Sequence, residues 1–552
     1  MSEAPDDDEL LFLPLGGTGE IGMNLNLYGH AGSWLMIDLG ITFADDRVGG
    51  LDVLMPDPAF IEERRDQLAG LVLTHAHEDH IGAVPYLWPR LRCPIYATPF
   101  TAHVLRGKLA EAGLLEEAEV TEVPMSGRFT VGPFELELIT LTHSIPEPNA
   151  VVLRTPAGTV LHTGDWKLDP DPLVGADYDE AALRALADEK VLAMVCDSTN
   201  AMVEGDSGSE AEVFDSLAEL IGAQTGRVAV ACFASNVARV EAVFRAAEAQ
   251  GRRVALVGRS LLRIYQAACE TGYLKSVAPP IPVEDLGYLP REEVLLLCTG
   301  SQGEPRAALW RIARDEHPHV VLEKGDTVVF SSRVIPGNEI SIGRLQNALC
   351  RQGIRVVTDR DHFIHVSGHP ARDELTQMYQ WVRPQIAIPV HGEARHLAEH
   401  AELARTCQVP QALVIENGEL VRLAPQGAVV TDRVETGRLA LDGSRILPLG
   451  SEAVRGRQRM NFNGAALATV VLDRSGILKT EPCITLQGLV DGEEEDLEEA
   501  AESIKDAVQG LSRSDKRDDA VVHEAVRVAL RRWCYKTLGK RPVTDVHVLR
   551  LD

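Results

Sequence analysis

The sequence predicts a layered α/β protein of several domains, and three observations lead to that prediction. Its 552 residues exceed the roughly 100–200 that one domain usually contains. Apolar runs of strand type alternate with helical stretches along most of the chain, as in sheets covered by helices. Several predicted strands end in turns rich in histidine, aspartate and glycine, where enzymes often place reactive groups.

The first part of the chain, residues 1–208, contains most of these turns rich in histidine, aspartate and glycine. Strands are predicted at 11–15, 34–38, 71–74, 134–141, 159–162 and 191–196, and helices at 58–68 and 101–112.

A second α/β series follows. A helix is predicted at 210–222 and strands at 227–231, 253–257, 294–298 and 327–331. Because ligand-type histidines resume only afterwards, we interpret residues 209–360 as an insertion. The interrupted domain then continues over 361–445, with a strand at 385–390.

The end of the chain is predicted to form a small α+β domain. Residues 446–464 carry Gly, Arg and Asn with little periodicity and are interpreted as a linker. In the domain 465–552, strands are predicted at 465–472, 484–490 and 543–549, and helices at 493–508 and 519–538. The acidic run 493–502 is typical of the solvated start of a helix, where the helix dipole favours negative charge.

Composition limits the location and the partners. The net charge of −28 by itself disfavours nucleic acid, although a cleft that holds divalent cations is locally positive. No apolar run approaches the roughly 20 residues that span a bilayer, and the acidic N-terminus lacks the features of a secretory signal. The nine cysteines include no CxxC pair. These features predict a cytoplasmic protein with reduced thiols and no membrane association.

The strongest chemical signal is a cluster of metal-ligand residues directly after the predicted strand 71–74. His75, His77, Asp79 and His80 fall within six positions. Alternation along a strand directs His75 and His77 to the same side, and the following turn lets Asp79 and His80 converge on them. Imidazole and carboxylate groups suit zinc, so the cluster predicts metal binding.

Further ligands are expected at other strand ends. His143, Asp165 and His391 each follow a predicted strand. Singly, each could equally serve as a turn or capping residue. Together with the cluster they complete a set large enough for two metal ions.

The order HxHxDH, strand-end His143, then Thr163-Gly164-Asp165 resembles the metallo-β-lactamase superfamily. The resemblance implies an αββα sandwich with two zinc ions. It further implies that His75, His77 and His143 hold one ion, that Asp79, His80 and His391 hold the other, and that Asp165 bridges them.

Other segments resemble narrower groups. Residues 196–200 (CDSTN), 366–370 (VSGHP) and 389–393 (PVHGE) are similar to the nucleic-acid-processing branch with a β-CASP insertion. Residues 15–22, 232–236, 298–305 and 335–339 resemble the bacterial ribonuclease J family in particular. The implied fold is therefore a metallo-β-lactamase sandwich with an inserted α/β β-CASP domain and a small C-terminal α+β domain. The chain departs from this family at Arg333, where a smaller or neutral residue is expected.

Two segments are predicted to bind RNA phosphates. The first consists of His365, Val366, Ser367, Gly368 and His369. Its hydroxyl, exposed backbone N–H groups and imidazoles suit an anion, and its alternative is a plain Ser-Gly turn with surface histidines. The second, between a strand and a helix, consists of Phe233, Ala234, Ser235 and Asn236. A helix N-terminus binds phosphate, although Ser235 or Asn236 could serve only as the helix cap.

The predicted reaction is hydrolysis of an RNA phosphodiester with two Zn²⁺ ions per chain, Mn²⁺ or Mg²⁺ being the alternatives. Asp79 would hold a metal and orient the nucleophile, and His369 would protonate the leaving 3′ oxygen. The family resemblance implies 5′-to-3′ exonuclease action on single-stranded RNA with a 5′-monophosphate. It also implies endonuclease activity, roles in mRNA decay and rRNA maturation, and a homodimer or homotetramer to which the tail from about residue 465 contributes.

Three other functions stay open. A β-CASP nuclease could act on DNA or at RNA 3′ ends. The insertion argues against a small-molecule hydrolase of the same fold, and the complete ligand set argues against a non-catalytic RNA-binding scaffold.

The glycine-rich segment 16–22 is not interpreted as a dinucleotide site, because a strand-like pattern follows it at 23–28. We expect it to form a tight turn beneath the metal cleft.

Overall fold

The computed structural model describes residues 5–44, 49–490 and 494–551, and the chain divides into two compact units. The first comprises Met1–Thr42 and Leu54–Gly437, and the second comprises Phe43–Val53 and Arg438–Asp552. The first residue of the predicted helix 493–508 lies outside the described residues. Among the helices described, none is long and apolar enough to cross a membrane.

The first unit is built around two large mixed sheets. The eight strands of one sheet are, in spatial order, Val429–Arg433, Glu419–Ala424, Leu10–Gly16, Leu25–His30, Ser33–Ile37, Leu68–Val72, Ile95–Ala97 and Val120–Glu122. The seven strands of the other are Arg128–Val131, Phe134–Thr140, Asn149–Thr155, Gly158–His162, Ala193–Asp197, Ile386–Val390 and Gln411–Ala412.

One hydrophobic core lies between the two sheets because side chains alternate along each strand. In the second sheet, Val151 and Leu153 pack in a cluster that also contains Phe12 and Ile37 of the first sheet. Val152, between them in sequence, belongs to a different buried cluster that includes side chains from helices. Each sheet is therefore buried on its inner face by the other sheet.

Helices cover the outer faces. Those of the second sheet are Glu180–Ala185, Arg372–Val382 and Ala394–Thr406. Helix Pro99–Glu111 contacts the last two strands at one side of the first sheet, Ile95–Ala97 and Val120–Glu122, and shorter helices span Ala59–Glu62, Glu78–Ile81 and Val84–Leu91. The result is the αββα sandwich that the sequence predicts, and the fold class is confirmed.

A third sheet interrupts this sandwich. Strands Ala193–Asp197 and Ile386–Val390 are parallel neighbours although nearly 190 residues of sequence separate them. Part of the intervening chain forms a five-stranded parallel sheet in the order Arg253–Val257, Val294–Cys298, Val228–Ala231, Thr327–Phe330 and Arg355–Val357. Its helices are Glu210–Gly222, Val237–Ala249, Arg259–Glu270, Ala308–Ala313 and Glu339–Arg351. This arrangement confirms the inserted α/β domain, while the boundaries drawn from the sequence remain predictions.

The sequence explains why the first inserted helix begins and where it packs. The hydroxyl of Ser209 accepts a hydrogen bond from Ala211 N at the N-cap. The buried residues Val213, Leu217 and Leu220 recur at helical spacing on one face. The predicted bounds 210–222 agree with the observed helix for this reason.

The second unit contains a small three-stranded sheet. Strand Ala465–Asp473 lies between Cys483–Gln487, which is antiparallel to it, and Val543–Leu551, which is parallel. Helices Glu494–Gln509 and Asp519–Leu538 supply Ile504, Val526 and Leu530 to the core. A hairpin of Arg438–Asp442 and Arg445–Pro448 precedes them in the chain.

Two sequence-based expectations are corrected by the structure. Residues 446–464, expected to be a linker, contain the helix Glu452–Asn463, which Ser451 caps by accepting from Val454 N. Val454 is its only buried residue among those described, so the helix lacks the apolar periodicity that would have revealed it. The helix predicted at 58–68 is only Ala59–Glu62 followed by a 3₁₀ turn, because Leu68 already pairs with Trp34 in the first sheet.

Candidate metal centre

The seven predicted metal ligands lie at the ends of strands from both large sheets, and their donor atoms converge in two overlapping groups. The first group is His75, His77, His143 and Asp165, and the second is Asp79, His80, Asp165 and His391. Within each group the donor atoms all lie within 4.8 Å of one another. Asp165 belongs to both groups, which is the position required of a bridging ligand.

The first group brings three imidazole nitrogens together. His75 Nε2 and His143 Nε2 each lie 3.0 Å from His77 Nδ1, and His75 Nε2 lies 3.8 Å from Asp165 Oδ2. Burial lowers the pKa of His77 to about 4 and holds the pKa of His75 and His143 well below the ordinary value. These rings are therefore neutral at neutral pH, the form in which imidazole binds a metal.

The second group is rich in carboxylates. His80 Nε2 lies 3.2 Å from Asp165 Oδ2, and His391 Nε2 lies 3.1 Å from Asp79 Oδ2. Burial acts to lower the pKa of His80 and His391, but the facing carboxylates, Asp165 above all, raise both well above the ordinary value. The carboxylates of the second group thus stabilise positive charge beside them.

An unpartnered carboxylate oxygen and the types of ligand atom present both fit a divalent metal in this centre. Asp165 Oδ1 is buried and has no hydrogen-bond partner in the described part of the chain. A buried carboxylate oxygen without a partner is costly unless a cation or another group satisfies it. The set of imidazoles and carboxylates is also the chemistry that zinc and related ions take.

Outer hydrogen bonds orient the two histidines of the second group. His80 Nδ1 donates to Asp38 Oδ2 at 2.7 Å, so Nε2, on the side of Asp165, is the nitrogen that would bind a metal. The hydroxyl of Thr199 donates to Asp197 Oδ1 at 2.7 Å, and it lies 2.8 Å from His391 Nδ1. Because the hydroxyl has one proton, His391 Nδ1 must donate to it, so Nε2, which faces Asp79 Oδ2, is the nitrogen that would bind a metal.

Ser367, Gly368 and His369, here called the 367–369 turn, lie directly against the first group. His143 Nδ1 donates to the Gly368 carbonyl oxygen. A Cβ added at Gly368 would come within 2.5 Å of His143 Cε1, so no larger residue fits without moving the ring. The Asn200 amide fixes the turn by donating to Ser367 Oγ at 2.7 Å and to the His369 carbonyl oxygen at 3.0 Å.

The His369 ring lies beside the second group as well. Its Nδ1 donates to Asp197 Oδ2 at 2.8 Å, and its ring centroid is 5.6 Å from that of His391. Burial acts to lower the pKa of His369, but Asp197 and Asp165 raise it above the ordinary value. Asp165, Asp197, His369 and His391 form a third donor group, whose ligand atoms all lie within 4.8 Å of one another.

The remaining predicted phosphate-binding residues lie near the centre. Asn236 caps helix Val237–Ala249, since its Oδ1 accepts from Arg239 N at 2.7 Å. Ala238 N donates to the carbonyl oxygen of Ser144, next to His143, at 3.2 Å. Phe233, Ala234, Ser235 and His365 are partly buried and Val366 is buried. Binding of phosphate by these residues stays a prediction.

The glycine-rich turn predicted beneath the cleft lies against the His391 segment. Thr18–Gly19 pairs with Gly392–Glu393, and Gly17 accepts a hydrogen bond from His391 N through its carbonyl oxygen. Gly17 has φ +85°, a conformation that favours glycine.

Four important residues of the centre were not among the site residues predicted from the sequence: Asp38, Asp197, Thr199 and Asn200. Asp38 and Asp197 are buried acids directly after or at the end of apolar strands. That position was the available signal, and it identified Asp165 in the same sequence.

Comparison with known proteins agrees with the fold and the donor set. Family models match for the metallo-beta-lactamase superfamily over residues 22–218 and for the ribonuclease J beta-CASP domain over 225–349. Those for the Zn-dependent metallo-hydrolase RNA specificity domain and the ribonuclease J C-terminal domain match 353–410 and 452–551.

Several curated proteins are similar along almost the whole chain. Ribonuclease J of Sinorhizobium meliloti is 46% identical, with 99% of this chain and 98% of that protein covered. Ribonuclease J of Mycolicibacterium smegmatis is 39% identical, covering 97% and 96%, and that of Thermus thermophilus is 35% identical, covering 98% and 95%. A solved protein of unknown function from Enterococcus faecalis V583 has a TM-score of 0.52 at 16% identity, covering 75% of this chain and 100% of that one. This likeness supports the fold and nothing finer.

The fold and the donor set define a metal-dependent hydrolase of the metallo-β-lactamase superfamily with a β-CASP insertion. Within that class the chain belongs to the ribonuclease J family and is a metal-dependent ribonuclease. The family and enzyme class predicted from the sequence are therefore confirmed.

Proposed function

We propose that this ribonuclease binds two Zn²⁺ ions and degrades single-stranded RNA from a 5′-monophosphorylated end in the 5′-to-3′ direction. Endonucleolytic cleavage by the same centre, and roles in mRNA decay and rRNA maturation, are part of the proposal. The observation that carries it is the pair of donor groups that share Asp165 and adjoin the 367–369 turn.

The ligand assignment follows from the convergence of donors. His75, His77 and His143 would hold one ion, Asp79, His80 and His391 the other, and Asp165 would bridge them. Five imidazoles among the seven residues favour Zn²⁺ over Mg²⁺, which prefers oxygen, and Mn²⁺ is the nearer alternative. A pair of such ions supplies Lewis acidity that neutralises a phosphodiester and makes water acidic.

His369 is the proposed proton donor to the leaving 3′ oxygen. Its Nδ1 donates to the Asp197 carboxylate, which leaves the second ring nitrogen, Nε2, for the substrate. Because Asp197 and Asp165 raise its pKa, the ring carries a proton near neutral pH, as a general acid must. Asp79 would help to direct the attacking water through its carboxylate.

Substrate phosphates would be held by the 367–369 turn and by the start of helix Val237–Ala249. The Ser367 hydroxyl accepts hydrogen bonds from Asn200 Nδ2 and His369 N, so its own proton is available to a phosphate oxygen. The 233–236 segment presents a helix N-terminus, which favours an anion. His365 borders the same turn.

Assembly into a homodimer or homotetramer is proposed to involve the C-terminal unit. Leu549 and Leu551 of strand Val543–Leu551 are about half exposed, at 51% and 50%. Exposed large apolar side chains on a sheet favour contact with another subunit. The nine free cysteines support the further proposal of a reducing, cytoplasmic location.

Digestion of one RNA in several end-states tests the polarity. The RNA is internally labelled and carries a 5′-monophosphate, 5′-triphosphate or 5′-hydroxyl, and a DNA of the same sequence is the matched control. Rapid release of mononucleotides from the 5′ end of the monophosphorylated RNA alone is the expected result. Shortening from the 3′ end, or faster cleavage of the DNA, would instead support a β-CASP nuclease of different specificity.

A further inference from the structure

The loop that follows strand Thr327–Phe330 is fixed by one buried side chain. Gln302 Nε2 donates to the Arg333 carbonyl oxygen at 2.8 Å, and Gln302 Oε1 accepts from Ile335 N at 2.9 Å. The same oxygen lies 3.3 Å from Asn338 Nδ2. The backbone at Arg333 is therefore held in place while its side chain is exposed.

Hydrogen bonds through one residue, Asn200, link the Arg333 guanidinium to the metal centre. Arg333 Nη1 donates to Asn200 Oδ1 at 3.2 Å. Asn200 in turn donates to Ser367 and His369, so one amide links Arg333 to the turn proposed to bind phosphate. Arg333 comes from the inserted domain, and the turn comes from the sandwich.

The positive charges near His365 differ in how they are balanced. After burial itself, Arg239, Arg333 and Lys167 lower the pKa of His365, because all three are cations close to its ring. Two of them are neutralised within the protein.

Arg239 lies 3.0 Å from Glu210, and Lys167 lies 2.8 Å from Asp169. For Arg333, in contrast, no carboxylate of the described chain lies within ion-pair distance. His365 Nδ1 is also buried without a partner among the described residues. The site thus leaves one cation and one imidazole nitrogen for a ligand.

We propose that the exposed guanidinium of Arg333 binds a phosphate group of the RNA beside the 367–369 turn. The planar guanidinium can donate two parallel hydrogen bonds to a phosphate, and an ammonium cannot. In a chain of net charge −28, an unbalanced cation at the site itself supplies a local positive field that the protein surface as a whole does not. The inference rests on the proposed function, because it concerns the same substrate.

Single-turnover cleavage at increasing enzyme concentration and several salt concentrations tests the proposal. The variants are Arg333→Gln, which removes the charge and keeps an amide, and Arg333→Lys, which keeps the charge without the planar fork. Arg333→Gln is expected to raise the half-saturating enzyme concentration about tenfold. It should also reduce the salt dependence by about 0.7 in the log–log slope, the value for one phosphate contact with a single strand.

Arg333→Lys should retain the salt slope and lose only part of the affinity, and metal content should be unchanged in both variants. Two substrates, with a 5′-monophosphate and a 5′-hydroxyl, locate the contact. A defect confined to the first assigns Arg333 to the terminal phosphate, and an equal defect on both assigns it to an internal phosphate.

Arg253→Ala is the matched control. Arg253 is exposed and begins strand Arg253–Val257, at the amino end of the inserted parallel sheet. Arg333 follows the carboxyl end of strand Thr327–Phe330 in the same sheet. The control removes the same charge at the opposite edge and should leave the salt slope unchanged.

If Arg333→Gln and wild type bind with equal affinity and salt slope, the proposal is wrong. An effect of the same size in Arg253→Ala would show only a general influence of charge, and it would also overturn the proposal. Failure of the proposed function is a separate result, because it would be seen in the wild-type enzyme as a lack of preference for the 5′-monophosphate.

Discussion

Nδ1 of His369 lies 2.8 Å from Oδ2 of Asp197, and this hydrogen bond joins the turn after the insertion to a strand before it. Asp197 is 1% exposed, and the hydroxyl of Thr199 satisfies its other oxygen, which connects the carboxylate to His391. One buried carboxylate thereby orients both the proposed proton donor and a proposed metal ligand.

Replacement of His369 by Ala should slow the single-turnover rate by roughly 10²–10⁴, the usual contribution of a general acid. Metal content should stay the same, because His369 is not among the seven proposed ligands. Elemental analysis and the rate are measured on the same preparation. A rate within about twofold of wild type would refute the proton-donor role, and loss of one metal would assign His369 to the third donor group instead.

Asp197→Asn should change the pH dependence of cleavage. Because Asp197 raises the pKa of His369, its removal should lower that pKa. The acid must be protonated, so activity should begin to fall at a lower pH than in wild type. The pH profile of the single-turnover rate, with metal content as a control, measures this shift. An unchanged basic limb at full metal content would contradict the assigned role of Asp197.

Wild-type protein purified without chelator is expected to contain about two metal ions per chain, as dinuclear hydrolases require. Asp165→Ala should lose metal and abolish cleavage, because Asp165 lies in both donor groups. Circular dichroism should show the fold retained. A metal content near zero in fully active wild type would disprove the dinuclear centre.

Gly368→Ala should impair the centre by steric displacement. The added Cβ would come within 2.5 Å of His143 Cε1 and force the ring to move. Loss of the outer hydrogen bond from His143 Nδ1 should reduce metal affinity or activity by roughly 10–100-fold.

The matched control is Gly343→Ala. Gly343 lies inside helix Glu339–Arg351, and a Cβ there would meet nothing within 4 Å. This change should leave activity intact and stabilise the helix by about 0.5–1 kcal/mol, which a thermal unfolding curve can detect. Equal activity of the two variants would mean that the His143 ring tolerates displacement.

The sequence alone determined the fold class, the insertion and the seven residues whose donors converge. These features have local signals: apolar alternation, helical periodicity and ligand-type residues at strand ends. The bounds of Glu210–Gly222 and Asp519–Leu538 agree with prediction because each helix has a capping residue and a regular buried face. The polar helix Glu452–Asn463 was missed because only Val454 marks its buried side.

Only the tertiary structure decided how those residues act together. Asp197 and His369 are 172 residues apart, and Asn200 and Arg333 are 133 apart, so no local pattern could pair them. The sequence likewise marks Arg239, Lys167 and Arg333 as identical in charge. The fold buries carboxylates against the first two and leaves the third exposed at the cleft, because ion pairing depends on distance in space and not along the chain.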